Sequence, residues 1–195
     1  MRGKRPASAY NFAMSPTASS RRFSIVRRQA GRALAGVLVG AAVLAAAGAA
    51  GWTLLRAQPA PAVTYSLIDG QKVTQQDLRG KVVLVNFWAT SCVTCVKEMP
   101  ALVDTYRKFH DRGFETIAVA MAYDRPDYVV NYAATRQLPF KVALDTQGQV
   151  AAGFREVTLT PTSFLIGRDG MILKRWVGEP DFAELHALIA SKLDG

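Results

Sequence analysis

Between Lys81 and Ala89 the chain reads KVVLVNFWA, and that short run limits the fold more than any other feature. A strand with one wet face alternates apolar and polar residues. This one offers no polar face, so it must lie inside a sheet covered on both sides. FETIAVAMA, residues 114–122, has the same character. Between the two, Val93, Val96, Met99, Leu102, Val103, Tyr106 and Phe109 recur every three or four residues. That spacing predicts a helix ending near Gly113, with a kink at Pro100.

The rest of the domain follows the same logic. VTYSLI, residues 63–68, predicts a first strand, and DGQKV a turn after it. RPDYVVNYAATRQ predicts a second helix with Pro126 in its first turn. KVALD predicts a short strand, TSFLIG and MILKRWVG a hairpin across RDG, and Phe182, Leu185, Leu188 and Ile189 a closing amphipathic helix. Strand–helix alternation followed by a hairpin implies an α/β fold whose sheet is mainly parallel with added antiparallel strands. Functional groups in such sheets gather beyond the carboxyl ends of the strands.

The N-terminal part has a different character. Of the 195 residues, the first 56 carry nine Arg and Lys and no Asp or Glu. From Ala57 onward the fifteen basic and fifteen acidic residues cancel. A nucleic-acid reader keeps its basic patch on the folded domain, so no nucleic-acid partner is expected. Ala33 to Leu55 is an uncharged run of 23 residues. As a helix it reaches about 34 Å, enough to cross a hydrocarbon core of about 30 Å. Eight basic residues precede it and only Arg56 follows. The positive-inside rule therefore keeps residues 1–32 in the cytoplasm and carries everything after Arg56 across the membrane.

The competing readings of the run are a core helix, which its length disfavours, and a signal peptide cut at a site such as Ala47-Gly48-Ala49. A start at Met14 changes neither. Residues 56–62, with Pro59 and Pro61, read as a stiff spacer, and residues 63–195 as the folded domain.

The chain's two cysteines, Cys92 and Cys95, stand between the strand at 82–88 and the helix that follows. A disulfide over so short a loop constrains the unfolded chain little and makes a poor staple. Zinc wants about four ligands, and His110 and His186 fall on different predicted elements. Covalent haem attachment needs His directly after the second cysteine, where Val96 stands. A reactive pair fits best. Cys92 opens a helix, where free N–H groups and the macrodipole favour a thiolate, and Cys95 sits three residues along the same face.

VVLVNFWATSCVTCVKEMP together with TPTSFLIGRDG resembles the membrane-anchored thioredoxin-like proteins of the TlpA/ResA type, over nearly all of residues 63–195. The resemblance implies a thioredoxin fold behind an N-terminal transmembrane helix and a disulfide reductase facing the periplasm. Cys92 is then the attacking cysteine and Cys95 the resolving one. Trp88, Thr160 and Pro161 bind substrate, with Thr160–Pro161 as a cis peptide opposite the cysteines.

The chain also departs from the pattern. Asn86 stands where thioredoxins carry a buried carboxylate two residues before the tryptophan, so Asp124, in MAYDRPD, and Glu98 become the candidates for proton transfer to Cys95. Ser91 and Val93-Thr94 replace the usual Trp and Pro of the motif.

The expected protein is a single-pass inner-membrane thiol–disulfide oxidoreductase with no cofactor and no metal. A transmembrane thiol donor would reduce it, and its substrates would be periplasmic disulfides such as those of apocytochrome c or copper-site proteins. A copper metallochaperone of related fold, and a thiol oxidase or isomerase, remain the alternatives, since soft thiolates suit Cu(I) and direction depends on potential.

Overall fold

The computed structural model describes residues 42–44 and 58–194. The basic tail at 1–32 and all but three residues of the apolar run at 33–55 lie outside the described residues. Among the described residues, no helix is long and apolar enough to cross a membrane.

Strand β4, Val82–Trp88, is buried along its whole length at the middle of a six-stranded sheet. Its side chains alternate between two cores. Val82, Leu84 and Trp88 join one, and Val83, Val85 and Phe87 the other with Tyr65, Phe154 and Phe164. Two cores on one strand explain why the sequence shows no polar face there.

Parallel to β4 runs β5, Phe114–Ala120, and parallel to β5 runs β6, Lys141–Leu144. On the other side lie β7, Thr162–Ile166, and β8, Met171–Val177, antiparallel to their neighbours. A two-residue strand β1, Gln58–Pro59, closes the edge of β8. This is the expected mixed sheet, and its order β1-β8-β7-β4-β5-β6 is that of a thioredoxin fold.

Helix α1, Val93–Phe109, packs over the first core through Cys95, Met99, Leu102, Tyr106 and Phe109. The buried stripe therefore begins at Cys95. Val93, expected to share it, is 83% exposed, because the first helical residue projects past the end of the sheet. Pro100 lies inside α1 and the helix continues on both sides of it. A short 3-10 turn, His110–Arg112, and Gly113 at φ 97° lead into β5. Helix α2, Pro126–Thr135, follows β5, and α4, Phe182–Leu193, closes the chain with Asp181 accepting from the amides of Ala183 and Glu184.

Three expectations shift. The strand predicted over 63–68 is shorter, β2 at Thr64–Ser66, and pairs with β3, Lys72–Thr74, as a separate hairpin. Gly70 at φ 87° and Asp69, which accepts from the Gln71 amide at 2.9 Å, turn the chain back on itself, so the segment meets the main sheet only at a bridge from Leu67 to Ala143 of β6. The segment read as a spacer supplies β1. A short helix α3, Gln149–Gly153, had no periodic signal; Asp145, buried at the end of β6, holds it by accepting from the amides of Val150 and Ala151 at 3.1 and 2.8 Å.

Candidate active site

At the carboxyl end of β4 the chain turns through Ala89–Ser91 and starts α1 at Cys92. Cys92 is the helix cap, and its Sγ accepts from the Cys95 amide at 3.2 Å. The two sulfurs are joined as a disulfide. They are not equivalent. Cys92 is half-buried at the surface and Cys95 is wholly buried among Trp88, Met99 and Leu102. In the reduced pair, the cap position offers the Cys92 thiolate an N–H donor and the positive end of the helix. Only that sulfur faces an incoming disulfide.

The loop after β5 holds the turn before Cys92. Asp124 accepts from the Thr90 amide at 2.5 Å and from the Thr90 hydroxyl at 2.6 Å. Next to it, the Tyr123 hydroxyl lies 3.1 Å from Thr160 Oγ1. Thr160–Pro161 is the cis peptide bond of the described residues. The register of β7 on β4 pairs Thr162 with Phe87, so Pro161 stands level with Trp88 beside the cysteine turn. The Pro161 carbonyl accepts from the Gly178 amide at 2.8 Å, which ties this loop to the end of β8.

Beneath Cys95 lies a buried polar group. Asn86, fully buried in β4, donates through Nδ2 to Glu98 Oε1 at 3.0 Å and to Ser163 Oγ at 2.9 Å. Glu98 is 1% exposed, one turn along α1 from Cys95. Burial pushes its carboxyl up to about 7, the Asn86 hydrogen bond opposes that shift, and repulsion from Glu179 adds to it. Among the described residues, Asn86 Oδ1 and Glu98 Oε2 have no hydrogen-bond partner. An unpaired buried carboxyl oxygen is costly when charged and tolerable when it carries a proton. Glu98, one helical turn from Cys95, therefore keeps its proton to a higher pH than a free carboxyl does.

A family model described as Redoxin matches residues 56–189. The chain belongs to the Redoxin family. This Redoxin domain is 37% identical over 131 residues to the thiol-disulfide oxidoreductase ResA of Bacillus thuringiensis (strain Al Hakam), covering 67% of this chain and 74% of that one. Against ResA of Bacillus subtilis (strain 168) the identity is 33% over 127 residues, 65% of this chain and 70% of the relative. The crystal structure of a thiol:disulfide interchange protein of the thioredoxin family from Chlorobium tepidum TLS superposes with a TM-score of 0.65 at 28% identity, covering 71% of this chain and 97% of that one. The Redoxin domain is therefore of the TlpA/ResA-like thioredoxin-fold kind, and with its Cys-x-x-Cys pair it is a thiol–disulfide oxidoreductase.

The remaining site residues fall into place unevenly. Trp88 is 0% exposed, its ring packed 5.2 Å from that of Tyr132, so it supports the site from below and presents no surface to a substrate. That corrects the expectation of a substrate contact. A central strand places its last side chain under the next helix, and Tyr132 of α2 covers it. Asp124 faces Thr90 with both oxygens, which makes it a positioning residue for the cysteine turn. His186 bonds Thr105 Oγ1 at 2.9 Å. Thr105 stands on α1 about 20 Å from Cys92, at ~1.5 Å rise per residue, so His186 cannot join the cysteines on one metal ion.

Sequence reasoning missed Ser163, Tyr123 and Thr90. The TSFLIG strand gave no sign that Ser163 points at Asn86. Tyr123 and Thr90 flank residues already singled out, and only the fold shows what they touch.

Proposed function

We propose that this protein is a membrane-anchored disulfide reductase whose catalytic domain works on the periplasmic side of a bacterial inner membrane. The asymmetry of the two sulfurs carries the reading: one at the surface on a helix cap, the other buried one turn from a carboxyl poised near neutrality. The thiolate of Cys92 attacks one sulfur of a substrate disulfide and forms a mixed disulfide while the second substrate sulfur leaves as a thiolate. Cys95 gives up its proton, with Glu98 as the nearby exchanger. Its thiolate attacks the Cys92 sulfur, the bound substrate sulfur leaves reduced, and Cys92–Cys95 closes. Two electrons pass to the substrate, and a membrane thiol donor returns them.

Thr160–Pro161 offers the docking edge. Among the described residues the Thr160 amide and carbonyl pair with no other backbone group, so an extended segment has somewhere to bond. The exposed side chains of Val93, Tyr123 and Leu159 stand around the same turn. Protein disulfides, such as the cysteine pair of apocytochrome c before haem attachment or of a copper site during assembly, are the proposed substrates. Residues 33–55 supply the anchor by their length and lack of charge.

Redox titration of the full-length protein against glutathione tests direction. A potential near about −270 mV supports reduction, whereas one near about −120 mV sinks it in favour of an oxidant.

A further inference from the structure

A cavity of about 540 Å³ opens beside the cysteine turn, and nothing above uses it. Thr90 and Ser91 form one wall; Tyr128, Asn131, Tyr132, Thr135 and Arg136 of the α2 segment form the rest. Ser91 precedes Cys92 directly, so a group bound here lies within a few residues of the reacting sulfur.

Its lining carries one charge, that of Arg136, and no carboxylate. Among the described residues Arg136 makes no ion pair. The guanidinium lies 5.8 Å from the centre of the Tyr132 ring, which steadies it without neutralising it. Two acidic groups that neighbour the lining residues are committed elsewhere. Asp124 holds Thr90, and Asp127 pairs with Arg125 at 2.7 Å, an interaction that keeps its carboxyl below the ordinary value. Asp104 lines a second cavity of about 280 Å³ together with Arg107, and Tyr132 and Arg136 are the wall the two cavities share. Aromatic sides, amide and hydroxyl groups and one unpaired guanidinium suit a planar carboxylate.

We infer that this cavity seats an acidic side chain of the polypeptide substrate, one to three residues from the cysteine that Cys92 attacks. An extended chain advances about 3.4 Å per residue, so three residues span the width of such a site. The inference rests on the disulfide-reductase reading and adds a rule for which disulfides are preferred.

The test uses the full-length protein in its dithiol form and disulfide-linked peptide dimers with a single Glu placed at each of three positions on either side of the cysteine. Gln and Lys versions serve as controls, and each rate is read as a ratio to the Gln peptide within the same variant. At the position that reaches the cavity, the Glu peptide should react about fivefold faster than its Gln counterpart, and the Lys peptide more slowly, as for a partly exposed ion pair. Arg136→Gln should bring the ratio to about one, and Arg136→Glu should reverse the order.

Equal rates at all six positions in the wild type, or a preference that persists in Arg136→Glu, would overturn the inference. So would an Arg136 dependence seen with glutathione disulfide and not with the peptides, since that would make the site one for a small thiol. Failure of the wild type to reduce even the Gln peptides would instead overturn the reductase reading beneath it.

Discussion

Asp124 holds Thr90 with both carboxylate oxygens, one on the backbone amide at 2.5 Å and one on the side-chain hydroxyl at 2.6 Å. A single side chain from the loop after β5 thereby fixes the turn that delivers Cys92 to the cap of α1. Charge-assisted bonds of this kind, removed on one side only, cost about 1.5–3 kcal/mol. Asp124→Ala should lower the melting temperature and slow both the attack by Cys92 and the resolution by Cys95, as read in stopped-flow fluorescence. Because Thr90→Val breaks half of the same contact, the double variant should lose less than the sum of the two. A change confined to resolution would return Asp124 to a proton-transfer role.

Exposure assigns the two sulfurs their order. Cys95→Ser should accumulate a covalent complex between Cys92 and a substrate cysteine, visible by mass spectrometry and released by dithiothreitol. Cys92→Ser should show neither the complex nor any turnover, because Cys95 is fully buried. A complex formed through Cys95 would reverse the assignment.

Glu98 makes the site sensitive to pH. Its carboxyl is raised from the unperturbed 4.5 to about 7, so between those values the folded protein holds a proton that the unfolded chain has lost. Stability from this group therefore falls as pH rises through that window, and the deficit is complete above about 7. Glu98→Gln should raise the melting temperature most above pH 7 and least below pH 4.5. The same variant should lose the inflection near pH 7 expected in the resolution rate. A wild-type rate with no such inflection would remove Glu98 from proton transfer.

Phe154 anchors the opposite face of the sheet. It is fully buried, with its ring centre 5.4 Å from that of Phe87 and 5.0 Å from that of Phe164. Phe154→Ala should cost about 3–5 kcal/mol in denaturant unfolding, while the folded fraction keeps its reduction rate. An equal loss of rate would show that this core reaches the site.

Much of the fold was legible because β4 and β5 are buried on both sides and their composition leaves no other place for them. The helix after the cysteines is readable from its spacing, although the same spacing places the exposed Val93 on the buried face. An apolar residue at the first turn cannot be told from a core residue by periodicity alone. VTYSLI reads as one strand followed by a turn, without its hairpin partner β3, because a short apolar run does not say which strand it will pair with. At the site, the cysteines and Thr160–Pro161 were visible as motifs. The Asn86–Glu98–Ser163 group was not, since it joins β4, α1 and β7 across 77 residues of sequence.

The unequal burial of the two sulfurs has one more consequence, for damage. A peroxide reaching this protein can oxidise Cys92 to a sulfenic acid, but Cys95, three residues away and screened from the solvent, is placed to condense with it. The product is the ordinary disulfide of the working cycle, so the first oxidative hit leads back to a recyclable state before the irreversible acids can form.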